Sequence, residues 1–480
     1  MTATAKNSRS QPSDSSSRAA PMPERRAAIS LSQRDTRAIA FVGDTLAVAI
    51  ASLIAPDVWA AFDANYVPTP GVPYWQLASI VAWVVALRLA GGDDLRSPRV
   101  LWRPLAGVGQ AFLAMIGLVL VLFYLEPFFA PRGSTFISLP IVAVLVFGWR
   151  LTYGRILGSK AFDQYVAIVG IDEGARRTAQ AMLTSSSYHV RAFLAPDAEP
   201  VSIHGVPVVA VRDDLWTVAQ SLGVDRLIVG HTQSLPATML NDLVRCFDHG
   251  VEAVPATAVY EEISGRVLAS ALEADWYAEL PTRTAGPYAV AKRFADVVLG
   301  GVLLVVALPL MLLVALAIWL DSRGPVLLRQ IRIGRRGRPF VLHKFRTMRR
   351  DAEPGGQPVW ARENDDRVTR VGRLLRRSRF DELPQLWDVV RGVMSLIGPR
   401  PERPEFVEQL ALELPLFRAR TLVRPGISGW AQVEYRYAGS IADNLTKLEY
   451  DLFYLRHIGP LIDLNIALRT LLIVFGFRGQ

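Results

Sequence analysis

The chain is almost free of cysteine: Cys246 is the only one in 480 residues. One thiol excludes an intramolecular disulfide and any metal site built from several cysteines, and Cys246 reads as a small buried hydrophobe. The six histidines are scattered without ligand spacing. No stretch interleaves aromatic and basic side chains and no base-reading helix is apparent, so the net charge of +9 does not point to nucleic acid. With 51% hydrophobic residues and a mean hydropathy of +0.24, the composition is too apolar for an ordinary soluble protein, and a basic membrane protein facing anionic lipid is the simpler account.

Residues 1–35 hold no apolar run and read as a disordered tail, not as a signal peptide. Four hydrophobic segments follow near 37–55, 74–91, 106–126 and 136–153, each close to the roughly 20 residues that cross a bilayer. Residues 56–73 contain no Lys or Arg, whereas Arg96, Arg99 and Arg103 separate the second and third segments and Arg150, Arg155 and Lys160 close the fourth. The alternation fits an even number of spans, over residues 36–155, with both ends cytoplasmic. Asp44, inside the first segment, is expected to face a helix partner or to lie near one end.

From about 162 the period changes to alternating strands and helices. YVAIVG (165–170), VRAFLA, DRLIVG (225–230) and VEAVPA (251–256) read as strands around helices near 173–184, 213–222 and 236–248, a Rossmann-like doubly wound domain over 162–260. Its first turn, Gly170-Ile171-Asp172-Glu173-Gly174, lacks the G-x-G-x-x-G spacing and puts acids where a pyrophosphate would sit. A structural or regulatory module without a dinucleotide is expected. No Tyr-x-x-x-Lys pair follows, which argues against an oxidoreductase. Residues 261–290 read as a connector.

The segment 294–320 is the longest apolar run, yet Pro309 interrupts it and both flanks are basic: Lys292 and Arg293 before, Arg323, Arg329, Arg332, Arg335, Arg336 and Arg338 after. A helix broken at Pro309 that enters one leaflet and returns keeps both flanks on the cytoplasmic side. A fifth full span is the alternative. Near the end of the chain, 462–478 reads as an interfacial helix or as core.

The rest is organised around 376–404, RRSRFDELPQLWDVVRGVMSLIGPRPERP. Asp381 and Glu382 are adjacent carboxylates among Arg376, Arg377 and Arg379. By themselves they are also what a helix start looks like. Cations crowded round a carboxylate pair, with a proline-pinned strip carrying Arg400 and Arg403 downstream, suit the handling of phosphates and a divalent cation.

Four strings in order, KFRTM (344–348), DELPQLWDVVRG (381–392), MSLIGPRPERPEF (394–406) and RPGISGWAQV (424–433), resemble the bacterial sugar transferase family, the monotopic polyprenyl-phosphate glycosyl-1-phosphate transferases. The likeness runs from about Lys292, and the upstream segments resemble the large members that initiate exopolysaccharide assembly. The resemblance implies a C-terminal catalytic α/β domain over 291–480 with a re-entrant helix. It implies transfer of a sugar 1-phosphate, glucose or galactose, from a UDP-sugar to undecaprenyl phosphate, with release of UMP. In this family Asp381 is the nucleophile of a phospho-aspartyl intermediate and Glu382 the Mg²⁺ ligand; the residues alone do not divide those roles. Arg400 matches the phosphate- and nucleotide-contacting motif. Lys344 and Arg346 share a side if their segment is a strand and, with Arg376 and Arg377, read as phosphate ligands or as a solvated or lipid-facing surface. Glu402 and Arg403 read as substrate contacts or a local ion pair. Asp451, with Tyr450 and Tyr454, matches a site-lining pattern, and Trp430 reads as pocket wall or core. The chain departs from many relatives at Leu308, where some carry Ser, at Val393, where many carry an acid, and at Asp388, where Asn is common. The expected partners are the UDP-sugar, undecaprenyl phosphate and the bilayer, with a homo-oligomer allowed for. The rival reading is a membrane-anchored nucleotide-binding regulator without transferase activity.

Overall fold

The computed structural model describes residues 33–65, 74–89, 109, 111–112, 115–120, 132–157, 164–185, 188–196, 201–212, 214–231, 235–272, 286–349, 352, 366–414, 416–435 and 440–475. The residues 1–32, the loops carrying Arg96, Arg99, Arg103 and Lys160, most of the third hydrophobic segment and residues 273–285 of the connector lie outside them.

Three apolar helices open the chain: α1 (Gln33–Ala60), α2 (Tyr74–Leu89) and α3 (Arg132–Leu157). Within α1 and α3, Ala38–Ala60 and Gly133–Ile156 are long and apolar enough to cross a membrane; α2 offers the shorter Tyr74–Leu87. The described residues of the third segment are helical, and Ala111, Met115 and Val119 are buried. Helices α1 and α3 lie close because two glycines admit two tryptophans. Gly43 is covered by the Trp149 indole and Gly133 by that of Trp59, so a Cβ at either would overlap a ring. One residue on from the first contact, Arg150 holds the Asp44 carboxylate, its Nε 2.9 Å from Oδ1 and its Nη2 on Oδ2, with both side chains buried. Asp44 therefore faces a helix partner, as an ionisable residue at such a position must.

The next unit is a six-stranded sheet of order β3-β4-β2-β1-β5-β6, parallel except for β3. Its strands are β1 (Gln164–Val169), β2 (Tyr188–Ala195), β3 (Ser202–Ile203), β4 (Val206–Ala210), β5 (Arg226–Val229) and β6 (Glu252–Pro255). The connecting helices are α4 (Glu173–Leu183), α5 (Leu215–Leu222) and α6 (Ala237–Asp248). Strand β1 is central, and alternation divides it: Ala167 and Val169 enter one core, Val166 and Ile168 the other. The hairpin β3–β4 was not legible in sequence, since two residues carry no period. Helix α7 (Ala256–Ser264) runs into the stretch read as connector, because Val259, Tyr260 and Ile263 are buried.

At the carboxyl ends of the central strands Asp172 caps α4, accepting from Ala175 N at 3.1 Å, and accepts from His231 N at 3.0 Å on the loop after β5. A Cβ at Gly230 would stand 2.2 Å from Asp172 Oδ2. The crevice between β1 and β5, where a doubly wound sheet receives phosphate, holds the protein's own carboxylate.

The third unit begins with α8 (Pro287–Asp321), 35 residues long. The helix is continuous through Pro309, where the sequence suggested a break; a proline removes one hydrogen bond of a long helix without ending it. Behind it come a hairpin, β7 (Leu327–Ile333) and β8 (Pro339–Phe345), then α9 (Arg370–Ser378) and α10 (Gln385–Arg391). A short parallel pair, β9 (Ser395–Ile397) and β10 (Gly426–Ser428), brackets α11 (Pro404–Glu413). Helices α12 (Trp430–Glu434), α13 (Ile441–His457) and α14 (Pro460–Phe475) complete the unit. Helix α14 packs on the core through Ile466 and Ala467, while Leu461, Leu464 and Leu471 are exposed.

The two α/β units are joined through α13. Glu449, wholly buried, takes both guanidinium nitrogens of Arg177 at 2.7 and 2.9 Å, with Arg266 at 3.7 Å. Arg456 reaches Glu261 at 2.6 Å, and Trp430 Nε1 donates to Gly265 O at 3.0 Å. Trp430 is thus a core and interface residue.

Candidate active site

The carboxylate pair owes its position to how α9 ends. Thr369 caps the start of α9, its Oγ1 accepting from Gly372 N at 3.0 Å. At the other end Arg379 adopts the left-handed conformation, with φ 58°, so the chain turns sharply into a single 3₁₀ turn, Phe380–Glu382. A non-glycine residue there is held at a cost of about 1–3 kcal/mol. The turn swings Asp381 and Glu382 inward, and both are buried.

Facing them is the strip Pro399–Glu402. Its prolines donate nothing, and four consecutive carbonyls are each engaged: Pro399 O by Gly426 N at 2.9 Å, Arg400 O by Arg420 Nη2 at 3.2 Å, Pro401 O by Arg332 Nη1 at 3.1 Å and Glu402 O by Ile333 N at 2.9 Å. The approach to β10 is so close that a Cβ on Gly426 would lie 2.1 Å from Gly398 N. The strip is fixed by its backbone, and the Arg400 side chain is left to act. Its Nη1 lies 2.8 Å from Glu382 Oε1, with 43% of the side chain exposed; Arg379 Nη1 is 3.8 Å from Glu382 Oε2.

Charge in the site is unevenly shared. Burial, then the neighbouring Glu382 charge, push the Asp381 carboxyl up to about 6, against the pull of Lys344, Arg400 and Arg376. For Glu382, burial also opposes ionisation, but Arg400 and Arg379 outweigh it and hold the group below the usual range. Lys344 is brought down to about 8 by burial and by Arg332, Arg400 and Arg376, with Asp381 opposing. Lys344 rides on β8, whose place is set by Asp388: this buried carboxylate accepts His343 N at 2.9 Å and meets His343 Nδ1 at 2.8 Å. The departure at Asp388 therefore falls on a residue that holds the strand.

The residues expected in the site divide. Asp381, Glu382, Lys344, Arg376 and Arg400 come together; Arg376 is braced by its Nε on Thr347 Oγ1 at 3.0 Å. Arg377 does not join them: it is exposed, because adjacent helical residues point about 100° apart. Arg346 follows the strand and caps the end of α8, bonding Ser322 O and Oγ. Arg403 starts α11 and lies 3.7 Å from Glu405. Glu402 sits between Arg332, at 3.7 Å, and Arg420, at 3.9 Å. Asp451 holds Arg420 at 2.6 Å, and burial pushes its carboxyl up despite that partner. Tyr454 is core, donating to Asp463 Oδ1 at 2.8 Å. Sequence reasoning missed Arg420 and Arg332, which grip the strip from below. A cleft of about 310 Å³ opens beside them, lined by Arg400, Glu402, Phe417 and Arg420 among others.

Among the described residues no group of three or more His, Cys, Asp or Glu side chains could hold a metal ion. Mg²⁺ binds through one or two carboxylates and takes its remaining oxygens from phosphate and water, and Asp381 and Glu382 are the adjacent buried carboxylates of the site. The mutual repulsion that raises Asp381 is what a divalent ion relieves.

The family model described as "Bacterial sugar transferase" matches residues 287–477. The UDP-N-acetylgalactosamine-undecaprenyl-phosphate N-acetylgalactosaminephosphotransferase of Aeromonas hydrophila is 40% identical over 49% of this chain and 56% of its own length. The UDP-glucose:undecaprenyl-phosphate glucose-1-phosphate transferase of Caulobacter vibrioides is 44% identical over 37% of this chain and 67% of its own. The Escherichia coli protein of the same description is 38% identical over 39% and 41%. The matched stretch thus spans little more than half of the Aeromonas relative.

Replacing Arg420 tests the grip on the strip. Arg420→Ala strands the buried Asp451 and frees the Arg400 carbonyl, and is expected to cost about 3–5 kcal/mol, read as a marked fall in melting temperature. Arg420→Lys, which keeps the charge, recovers part of the loss. An unchanged melting temperature in Arg420→Ala contradicts the arrangement.

Proposed function

The chain belongs to the bacterial sugar transferase family, and from that premise we propose that it moves a sugar 1-phosphate from a UDP-sugar to undecaprenyl phosphate. The observation that carries the proposal is the buried Asp381–Glu382 pair set against Lys344, Arg376 and a backbone-fixed Arg400. An Asp381 oxygen attacks the β-phosphorus, the bridging P–O bond breaks, and UMP leaves with that oxygen. The phosphate oxygen of undecaprenyl phosphate then attacks the phospho-aspartyl group and regenerates Asp381. Arg400, Lys344 and Arg376 bind the diphosphate and offset charge on the phosphoryl oxygens. Glu382 would hold Mg²⁺, which supplies further neutralisation of the phosphates when bound. The proposed sugar is glucose or galactose; the relatives' names divide between glucose and N-acetylgalactosamine. The product would open an exopolysaccharide assembly line.

The protein is a membrane protein; its setting in the bacterial inner membrane, with four crossings and a cytoplasmic catalytic unit, is part of the proposal. So is re-entry of α8. At 35 residues α8 measures about 52 Å, well beyond a hydrocarbon core of about 30 Å. Yet both its ends rest on one unit. Near its start Arg293 donates to Val389 O and Val390 O at 2.8 and 2.9 Å, and Asp296 accepts from Leu396 N at 3.0 Å. Near its end Val314 and Ile318 pack on Phe345 and Leu375, and Ser322 meets Arg346. Between them Val302, Val305, Val306, Leu308 and Leu312 are exposed. A helix so tied favours dipping into one leaflet over crossing. The regulatory alternative needs a nucleotide in the sheet crevice, and Asp172 fills that place.

Membranes holding the protein, given labelled UDP-sugars, undecaprenyl phosphate and Mg²⁺, should pass label from one donor into lipid. Asp381→Asn should lower that transfer by about 10³-fold or more; undiminished transfer in folded Asp381→Asn removes the nucleophile assignment. A pH profile is a second check. Asp381 must be ionised to attack, so the rate should rise with pH along an acid limb that burial and the Glu382 charge lift to about 6 without metal and that added Mg²⁺ draws lower. Lys344 must keep its proton to bind phosphate, so the rate should fall above about pH 8. A flat profile between pH 5 and 9 contradicts both roles.

A further inference from the structure

A second basic cleft lies at the head of α8, at the far end of α10 from Asp381. It is open to solvent and is bounded by the first turns of α8 (Tyr288, Lys292, Asp296), the turn after β7 (Arg335), the start of β9 (Ser395) and Arg424 before β10. The catalytic reading uses none of these residues.

The charges in it do not cancel. Lys292 is committed to Asp463, its Nζ 2.5 Å from Oδ2, and Tyr288 donates to the same oxygen at 2.7 Å. Asp296 is held by Leu396 N. Arg293, beside the cleft, spends two nitrogens on the carbonyls that end α10. Arg424 bonds Gly392 O through Nε at 3.0 Å and Arg335 bonds Leu422 O through Nε at 3.4 Å. For neither is a carboxylate among the described residues within ion-pair distance. Burial, with the like charges of Arg335 and Arg293, holds the Arg424 guanidinium below its usual value, and Asp296 is the acid that opposes this. Two forked cations thus share a cleft with the amide-rich start of a long helix, whose dipole end is also positive. Beyond Asp296 the exposed surface of α8 is apolar: Val297, Val298, Leu299 and Val302.

We infer that this cleft is a second phosphate site, which takes the headgroup phosphate of an anionic membrane phospholipid and seats the catalytic unit on the bilayer. The paired guanidinium forks match a phosphate's oxygens. The apolar surface beyond Asp296 gives acyl chains a place that a soluble phosphate would not need. Binding at the cleft requires no turnover, so it can fail while the transfer reaction stands, and the reverse.

The test uses the full chain in phosphatidylcholine nanodiscs, titrated separately with dioctanoyl phosphatidic acid, inorganic phosphate and dioctanoylglycerol, with binding and melting temperature as readouts. Phosphatidic acid should bind saturably and at least about tenfold more tightly than inorganic phosphate, with no effect of dioctanoylglycerol. Arg335→Gln and Arg424→Gln should each weaken phosphatidic acid binding by about tenfold and leave the KM for the UDP-sugar unchanged. Arg335 makes one backbone bond, so its variant should fold even if Arg424→Gln does not. Arg400→Ala should keep the lipid site. Equal binding by Arg335→Gln and the unaltered chain overturns the inference. Binding lost in Arg400→Ala instead transfers the phosphate to the catalytic cluster and overturns it too. Inorganic phosphate binding as tightly as the lipid overturns the membrane source.

Discussion

The catalytic unit depends on four carbonyl oxygens. From Pro399 to Glu402 each is bound, two by backbone amides and two by arginines that rise from different elements. A hydrogen bond to a charged group is worth about 1.5–3 kcal/mol, so a segment without regular secondary structure is held as firmly as a strand. Because the two prolines also fix φ, the Arg400 side chain is presented in one place. That place is 2.8 Å from Glu382.

Everything on the other side of the site is arranged to tolerate two carboxylates out of water. Burying adjacent acids is unfavourable on two counts, desolvation and mutual repulsion. The fold answers asymmetrically. Glu382 receives Arg400 and Arg379 and stays ionised, while Asp381 keeps weaker, shared cations and rises to about 6. A group at that value is mostly ionised at neutral pH and is a better nucleophile than a fully paired carboxylate. The left-handed Arg379 that turns the chain inward is the backbone strain associated with this arrangement. Through α13, which carries Glu449 toward the sheet unit and Asp451 toward Arg420, the same site is tied to the neighbouring unit.

Much of this was legible in the residues. The strands of the sheet unit declared themselves by unbroken apolar runs, and the acid of the first turn, Asp172, caps the following helix and accepts from His231 N across the crevice. Asp44 required a partner and has Arg150. What sequence could not show depended on which way a side chain turns once packed. Arg376 and Arg377 are neighbours in the string but point about 100° apart on the helix, one toward the carboxylate pair and one to solvent. Arg346, grouped with Lys344 by motif, lies just past the strand and caps α8 instead. Arg420 sits in FRARTL, a stretch with no period and no motif, and its role exists only because Asp451 and the Arg400 carbonyl meet there. The hairpin β3–β4 was too short to carry a pattern.

The covalent step is the claim on which the account turns. The chain should be mixed with a UDP-sugar labelled at its β-phosphorus, in the absence of undecaprenyl phosphate, then quenched and digested. The account predicts label on the peptide containing Asp381, released by hydroxylamine and chased into lipid when undecaprenyl phosphate is added. Transfer to lipid in a single turnover with no labelled peptide at any time would contradict it, and would leave Asp381 and Glu382 as ligands around a direct displacement.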